Sequence, residues 1–279
     1  MYADLHAHTT ASDGTFKPTE LVRAARALGL SHLAVTDHDT TAGVAEAEAA
    51  AREAGIRLVP GVELSAEGPP GKCHLLGLRI DPDDAGLTRT LAALSEARST
   101  RNARIAARLQ ELGVPLTLEE VAAVAPPGAN LGRPHFAQAL IARGVVTTVA
   151  EAFARYLAEG APAYLPKDVL PPADAIRLIH DAGGLAFLAH PGLVRLRSEE
   201  TLRDRVAALR DLGLDGVEAF YPLHTPELTA ELEAIARDLG LLVTGGSDFH
   251  GATKPDVPLG VVIAGGAVPI ERLPPALLR

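Results

Sequence analysis

Five times along this chain a short apolar run, read as a β-strand, gives way to a histidine or a carboxylate. The places are His6 with His8, His38, Glu63, His190, and Asp248 with His250. This recurrence constrains the fold more than any other feature. In a parallel α/β barrel the C-terminal ends of the strands share one face, and active sites are built there. Residues scattered over the whole sequence would then meet in one pocket. Two of the places repeat an i, i+2 spacing, which in extended backbone puts both side chains on one face. His74 lies inside or at the edge of a further strand.

The intervening segments fit that expectation. After the opening strand, a helix starts at Lys17-Pro18-Thr19-Glu20 and ends at Gly29; Pro suits the first turn and Gly the exit. Strands at 31–36, 56–62 and 73–78 enclose a helix at about 41–54. Alternation of strand and helix argues for parallel strands joined by helical crossovers. From about 84 to 159 the pattern breaks into helices: a long one carrying Leu87, Leu91, Leu94, Arg98, Arg101, Ile105 and Leu109 at helical period, a second opened by the capping box Thr117-Leu118-Glu119-Glu120, and two more near 134–143 and 149–158. Alternation resumes with helices at 172–181 and 198–212 and from 225, and strands at 185–189, 216–220 and 241–244. The expectation is a seven-stranded barrel built from residues 1–83 and 168–279, with an all-helical insertion at 84–167.

Composition narrows the function. With 47% hydrophobic residues the chain has ample core, and no apolar run is long enough for a membrane span. No basic-then-apolar leader is visible and the single cysteine, Cys73, excludes an internal disulfide, so a cytoplasmic protein without membrane partners is expected. A net charge of −9 argues against a broad basic surface for duplex nucleic acid. It leaves room for a small anionic substrate, because bound divalent cations reverse the local field.

Histidine with carboxylate and no thiolate suits manganese, zinc or iron. With Asp13 and His74, nine such groups are too many for one ion, so two or three sharing ligands are implied. Clusters of that kind are the usual machinery of phosphate ester hydrolysis. Other polar residues look structural: His32, His180, and Asp4, Asp37 and Asp39 as orienters of neighbouring ligands. Gly245-Gly246 lacks the helix-opening pattern of a dinucleotide loop.

Asp4-Leu5-His6-Ala7-His8-Thr9, Ser12-Asp13-Gly14, Thr36-Asp37-His38-Asp39, Gly61-Val62-Glu63, His190-Pro191 and Ser247-Asp248-Phe249-His250 resemble, in order, the motifs of the PHP (polymerase and histidinol phosphatase) superfamily. The resemblance implies a distorted seven-stranded (β/α)7 barrel, here with its helical insertion, and a trinuclear centre. It gives His6, His8, Glu63 and Asp248 to one ion and Asp13, His38 and His250 to the second. Glu63, bridging, would hold the third with His74 and His190. Asp13 stands where some members have histidine. Manganese is the first expectation, with zinc, iron or magnesium as alternatives. The attacking water would be activated at ions held by His6, His8, Glu63, Asp248 and His250.

Within the superfamily the chain is most similar to a compact branch of 3′,5′-nucleoside bisphosphate phosphatases and 5′→3′ exoribonucleases. Gly132-Arg133-Pro134-His135, Tyr164-Leu165-Pro166-Lys167 and Tyr221-Pro222-Leu223-His224 resemble that branch's phosphate-contacting segments, so Arg133, His135, Lys167 and His224 are expected to bind substrate. The partner implied is a small nucleotide or short oligonucleotide; the sequence does not fix the oligomeric state, for which a monomer is the default. A histidinol-phosphate-type monoesterase and a non-catalytic metal-bound module stay open as alternatives.

Overall fold

The computed structural model describes residues 1–126, 129–262 and 266–278. Strands β1 (Tyr2–Asp4), β2 (Leu30–Val35), β3 (Arg57–Ala66), β4 (Cys73–Leu78), β5 (Leu185–Leu188), β6 (Gly216–Phe220), β7 (Leu242–Gly245) and β8 (Val268–Pro269) form one sheet. Its order is β7-β6-β5-β4-β3-β2-β1-β8. The sheet curls until the backbone after β1 meets the backbone after β7. Leu5 N–H donates to Gly245 O at 3.1 Å, Asp248 N–H to His6 O at 2.8 Å and His8 N–H to Phe249 O at 2.9 Å. The result is a nearly closed barrel, lined within by Leu5, Leu76, Phe187, Phe220 and their neighbours.

Two features correct the expectation from sequence. There are eight strands rather than seven, because Val268–Pro269 pairs antiparallel with Tyr2 and Ala3. And β4 runs antiparallel to both β3 and β5. The physical reason is the connection: only residues 67–72 separate β3 from β4, too few for the crossover that a parallel pair requires.

Helices α1 (Pro18–Ala27) and α2 (Val44–Ala54) cover the first strands. The helical stretch holds α3 (Ala85–Glu111), α4 (Leu118–Val124), α5 (Arg133–Ala142) and α6 (Val149–Ala152), and α7 (Pro172–Asp181), α8 (Leu202–Asp211) and α9 (Pro226–Leu239) return to the barrel. The capping box read at Thr117 is present, with Thr117 N–H donating to Glu120 Oε2 at 2.8 Å and Glu120 N–H to Thr117 Oγ1 at 3.3 Å. The helix expected to reach residue 158 instead widens after α6 into a π turn, Phe153–Leu157. α3 ties the two parts together. Its Leu87 and Leu91 pack into the barrel's outer core, while Ile105 and Leu109 pack with Val121, Phe136, Leu140 and Leu157 in a separate helical core. Between them, on the same side, Arg98 and Arg101 are buried.

Candidate metal centre and anion-binding cavity

His6 and His8 leave the extended backbone after β1 on the same side, while Leu5 and Ala7 fill the core. His38 and Glu63 follow β2 and lie on β3, joined by a parallel bridge. His74 is the second residue of β4. Because β4 is reversed, its start lies at the end of the barrel where the parallel strands finish, opposite Ser65. All nine residues expected as ligands therefore surround one point.

The nitrogen and oxygen atoms of these residues form three overlapping groups able to hold a cation: His6, His8, Glu63 and Asp248; His8, Asp13, His38 and His250; and His38, Glu63 and His74. His190 adjoins the last, its Nε2 lying 2.9 Å from Glu63 Oε1, as His74 Nδ1 does. Glu63 Oε2 lies 2.9 Å from His38 Nδ1, 3.3 Å from His8 Nε2 and 3.4 Å from His6 Nε2. Yet Glu63 Oε2, His6 Nε2 and both His8 nitrogens are buried without a hydrogen-bond partner. Buried polar atoms are nearly always paired. Several converging unpaired on one point fit divalent cations that they would coordinate, and the all-nitrogen-and-oxygen donor set suits the metals expected.

The surrounding charge favours the same reading. Burial opposes ionisation of Glu63, yet His38, His74 and His6 hold its carboxyl well below the usual range. Burial likewise opposes charge on His8, but Asp248 and Glu63 outweigh it and raise its pKa to about 9. At His38 burial wins and pushes the imidazole down to about 4.

Residues behind the cluster orient it. Glu218, wholly buried on β6, accepts from His6 Nδ1 at 2.9 Å and from the His190 backbone N–H at 2.7 Å. The first bond sets the His6 tautomer, leaving the Nε2 lone pair to face Glu63 and Asp248. Asp37 gathers Thr9 N–H, Thr9 Oγ1 and Ser12 Oγ, fixing the loop that carries Asp13. Asp4 does the same for Ser247, beside Asp248. Tyr221 Oη and Lys254 Nζ both donate to Asp248 Oδ2, at 3.0 and 2.8 Å. Asp39, His190 and Asp248 all adopt positive φ, 53°, 31° and 57°, a conformation that non-glycine residues keep only where surroundings enforce it. Gly246 is glycine because a Cβ there would sit 2.3 Å from His6 Cβ.

Next to the cluster, between barrel and helices, lies a cavity of about 190 Å³. His38, His74 and Asp13 form its floor, and Arg98, Arg101, Arg133 and Lys167 its walls. Asp39 accepts from both Arg98 and Lys167. Burial would raise the Asp39 carboxyl, but Lys167 and Arg98 hold it below its usual range. Burial pushes the Lys167 ammonium down to about 8, with Asp39 opposing and Arg98 reinforcing. Burial, with Arg98 and Arg133 nearby, lowers Arg101 to about 10. The Nε atoms of Arg98 and Arg101 are buried and unpartnered. Cations this crowded, with unused donors, make a site for a multiply charged anion.

The expected substrate-binding residues divide. Arg133 and Lys167 reach the cavity. Arg133 is half-buried, donates to Leu157 O at 3.1 Å and lies over the rings of Phe153 and Tyr164, 5.7 and 5.3 Å from their centroids. His135 lines the cavity too; Gly132 N–H donates to its Nδ1 at 3.0 Å, so Nε2 carries the proton. His224 does not line it: Gly192 N–H donates to Nε2 at 3.2 Å, and Nδ1 donates to Ala219 O at 3.0 Å. Both its nitrogens are engaged in holding backbone. His180 pairs with Asp215 at 2.7 Å, remote from the cluster, and burial pushes the Cys73 thiol up to about 12.

Three residues at the site were not singled out from sequence. Glu218 interrupts an otherwise apolar strand, and Arg98 and Arg101 sit in the apolar stripe of α3. A charge where the period predicts burial is a usable signal in each case.

The chain is 39% identical over 249 residues to the 5′-3′ exoribonuclease Rnm of Escherichia coli, spanning 88% of this chain and 84% of that one. The PHP domain family matches residues 4–114. The chain belongs to the PHP family. It is accordingly an enzyme that hydrolyses phosphate esters. A 3′,5′-nucleoside bisphosphate phosphatase of Chromobacterium violaceum is 35% identical over 248 residues, 88% of this PHP chain and 86% of that protein. Among solved structures, a Bifidobacterium adolescentis protein provisionally described as a metal-dependent phosphoesterase superposes with a TM-score of 0.85 at 34% identity, covering 99% of this chain and 98% of that one. A second, described as an amidohydrolase of Chromobacterium violaceum with bound sulfate and no metal, has a TM-score of 0.86 at 32% identity, covering 98% and 95%. The PHP match itself takes in His6, His8, Asp13, His38, Glu63 and His74. No helix among the described residues is long and apolar enough to cross a membrane.

Proposed function

We propose that this PHP enzyme hydrolyses a terminal phosphate ester of a nucleotide, with 3′,5′-nucleoside bisphosphates as the preferred substrates. What carries the reading is one juxtaposition: a cluster able to hold two or three divalent ions opens directly into a cavity walled by Arg98, Arg101, Arg133 and Lys167. A simple monoester would need only the cluster. A second cationic subsite suits a substrate with a second phosphate.

When bound, the ions, manganese first, supply Lewis-acid charge neutralisation and a water of lowered pKa. His6, His8, Glu63 and Asp248 would hold one, Asp13, His38 and His250 another, and Glu63, His74 and His190 a third. The cavity's guanidinium and ammonium groups hold the phosphate that is not cleaved, and so fix the reacting phosphate over the cluster. Glu218, Asp4 and Asp37 keep the ligand loops in place during turnover.

A second reading, attack on short 5′-phosphorylated RNA, draws support from the exoribonuclease relative. A screen with manganese tests both. It compares adenosine 3′,5′-bisphosphate, a short 5′-phosphorylated RNA, a short DNA and histidinol phosphate. Preferential hydrolysis of the bisphosphate is expected; preference for histidinol phosphate overturns the assignment.

A further inference from the structure

The cluster has a second opening. On the other side of His74 lies a groove of about 390 Å³ whose floor is made by His74 and His190 and whose walls are Leu193, Val194, Lys72 and Arg195. The cavity and the groove share Lys72, Cys73 and His74. His74 and His190 both face Glu63 Oε1 at 2.9 Å, and His74 lines both spaces, so the cluster that would hold the scissile phosphate borders the cavity and the groove alike. A nucleoside bisphosphate needs no such second channel, because the phosphorus of a terminal phosphate carries the nucleotide on one side only, whereas the phosphorus of an internal diester carries chain on both.

We propose that the groove takes the departing strand when the substrate is a single-stranded oligonucleotide. The inference rests on the nucleotide phosphoesterase reading above and extends it. Two properties of the groove select this occupant. Leu193 is 54% exposed, a large apolar side chain held in solvent, and with Val194 it offers a face that a splayed-out base would cover. Lys72 and Arg195 provide cations beside that face, as a chain of alternating bases and phosphates requires. Glu159 also faces the groove, and Lys72 lies 3.6 Å from Glu67, so Arg195 is the cation free to meet a phosphate; it has no ion-pair partner among the described residues. In the reaction the oxygen of water bonds to phosphorus, the bond from phosphorus to the leaving ribose oxygen breaks, and that oxygen takes a proton. No other reactant is required.

The test uses the full chain with manganese, Arg195→Ala and Leu193→Asp, and two substrates: adenosine 3′,5′-bisphosphate and a 5′-phosphorylated RNA pentanucleotide. Both positions are on the surface, and circular dichroism checks that the variants fold. Arg195→Ala should lower kcat/KM on the pentanucleotide about fivefold and make its salt dependence shallower by about 0.7 in log–log slope, the value for one phosphate contact on a single strand. Leu193→Asp should lower the same kcat/KM further, and neither variant should change bisphosphate hydrolysis by more than about twofold. Equal losses on both substrates, no loss on the pentanucleotide, or a wild-type enzyme active only on the bisphosphate each overturn the groove assignment. A wild-type enzyme active on neither substrate instead overturns the nucleotide reading beneath it.

Discussion

Arg133→Ala separates what the arginine does for the fold from what it does for the substrate. In the fold it gives Leu157 O a hydrogen bond at 3.1 Å and lies over Phe153 and Tyr164. Those contacts, partly exposed, are together worth about 2 kcal/mol. Their loss should lower Tm by about 4–8 °C in a domain of this size. At the substrate, one charge-assisted contact to the uncleaved phosphate is worth about 1.5–3 kcal/mol, roughly ten- to hundredfold in kcat/KM. The stability loss affects every substrate alike, but the specificity loss falls only on one with a second phosphate. The assay is therefore a ratio: kcat/KM for adenosine 3′,5′-bisphosphate over kcat/KM for adenosine 3′-monophosphate, well below the variant's Tm. The ratio should fall ten- to hundredfold in Arg133→Ala and less in Arg133→Lys, which keeps the charge but loses the planar fork. An unchanged ratio beside a lowered Tm would refute the clamp and leave Arg133 a purely structural residue.

Glu63→Gln should keep the fold but lose most bound metal, because both carboxylate oxygens face imidazoles of the cluster; full metal content after gel filtration would rule out a bridging role. Raised pKa values at His6 and His8 mean that the metal-free cluster holds protons, so metal binding at pH 7 should release them. Calorimetric titration with manganese in buffers of different ionisation heat reads this release, and a buffer-independent heat contradicts it. Lys167 loses its proton as pH rises through about 8, so its contribution to phosphate affinity is present below that pH and fades above it. KM for the bisphosphate should climb between about pH 7 and 9 in the wild type and stay flatter in Lys167→Met. The same depressed value works against the folded state at low pH: between about 8 and the ordinary 10.5 the unfolded chain binds the extra proton, so this group's contribution makes stability rise with pH across that window.

Most of the cluster was legible in the linear chain because its residues sit at strand ends. An i, i+2 pair in extended backbone shares a face wherever the strand lies, so His6 with His8 and Asp248 with His250 needed no tertiary knowledge. The alternation of strand and helix likewise implied a barrel whose strand ends converge. The boundaries of α7 and the cap of α4 followed from proline and from Thr117 with Glu120, whose effects reach only one turn. Lys167 and Arg133 were expected near substrate, and both line the cavity. His224, expected with them, has its two nitrogens committed to backbone.

What local pattern reports is local geometry; direction and partnership are decided by packing. The sequence of β4 reads the same whichever way the strand runs, and only the short connection from β3, seen folded, reverses it and carries His74 to the face where His38 and Glu63 end. Glu218 is one acid in an apolar strand until its oxygens are found on His6 and on the backbone of His190. Arg98 and Arg101 look like charged interruptions of a helical stripe until α3 is laid across the barrel, where one reaches Asp39 and both face the cavity. The chain alone determined which side chains could do metal and phosphate chemistry. The tertiary structure decided which of them stand behind the others, because burial and pairing are properties of residues far apart in sequence that meet only when the barrel closes.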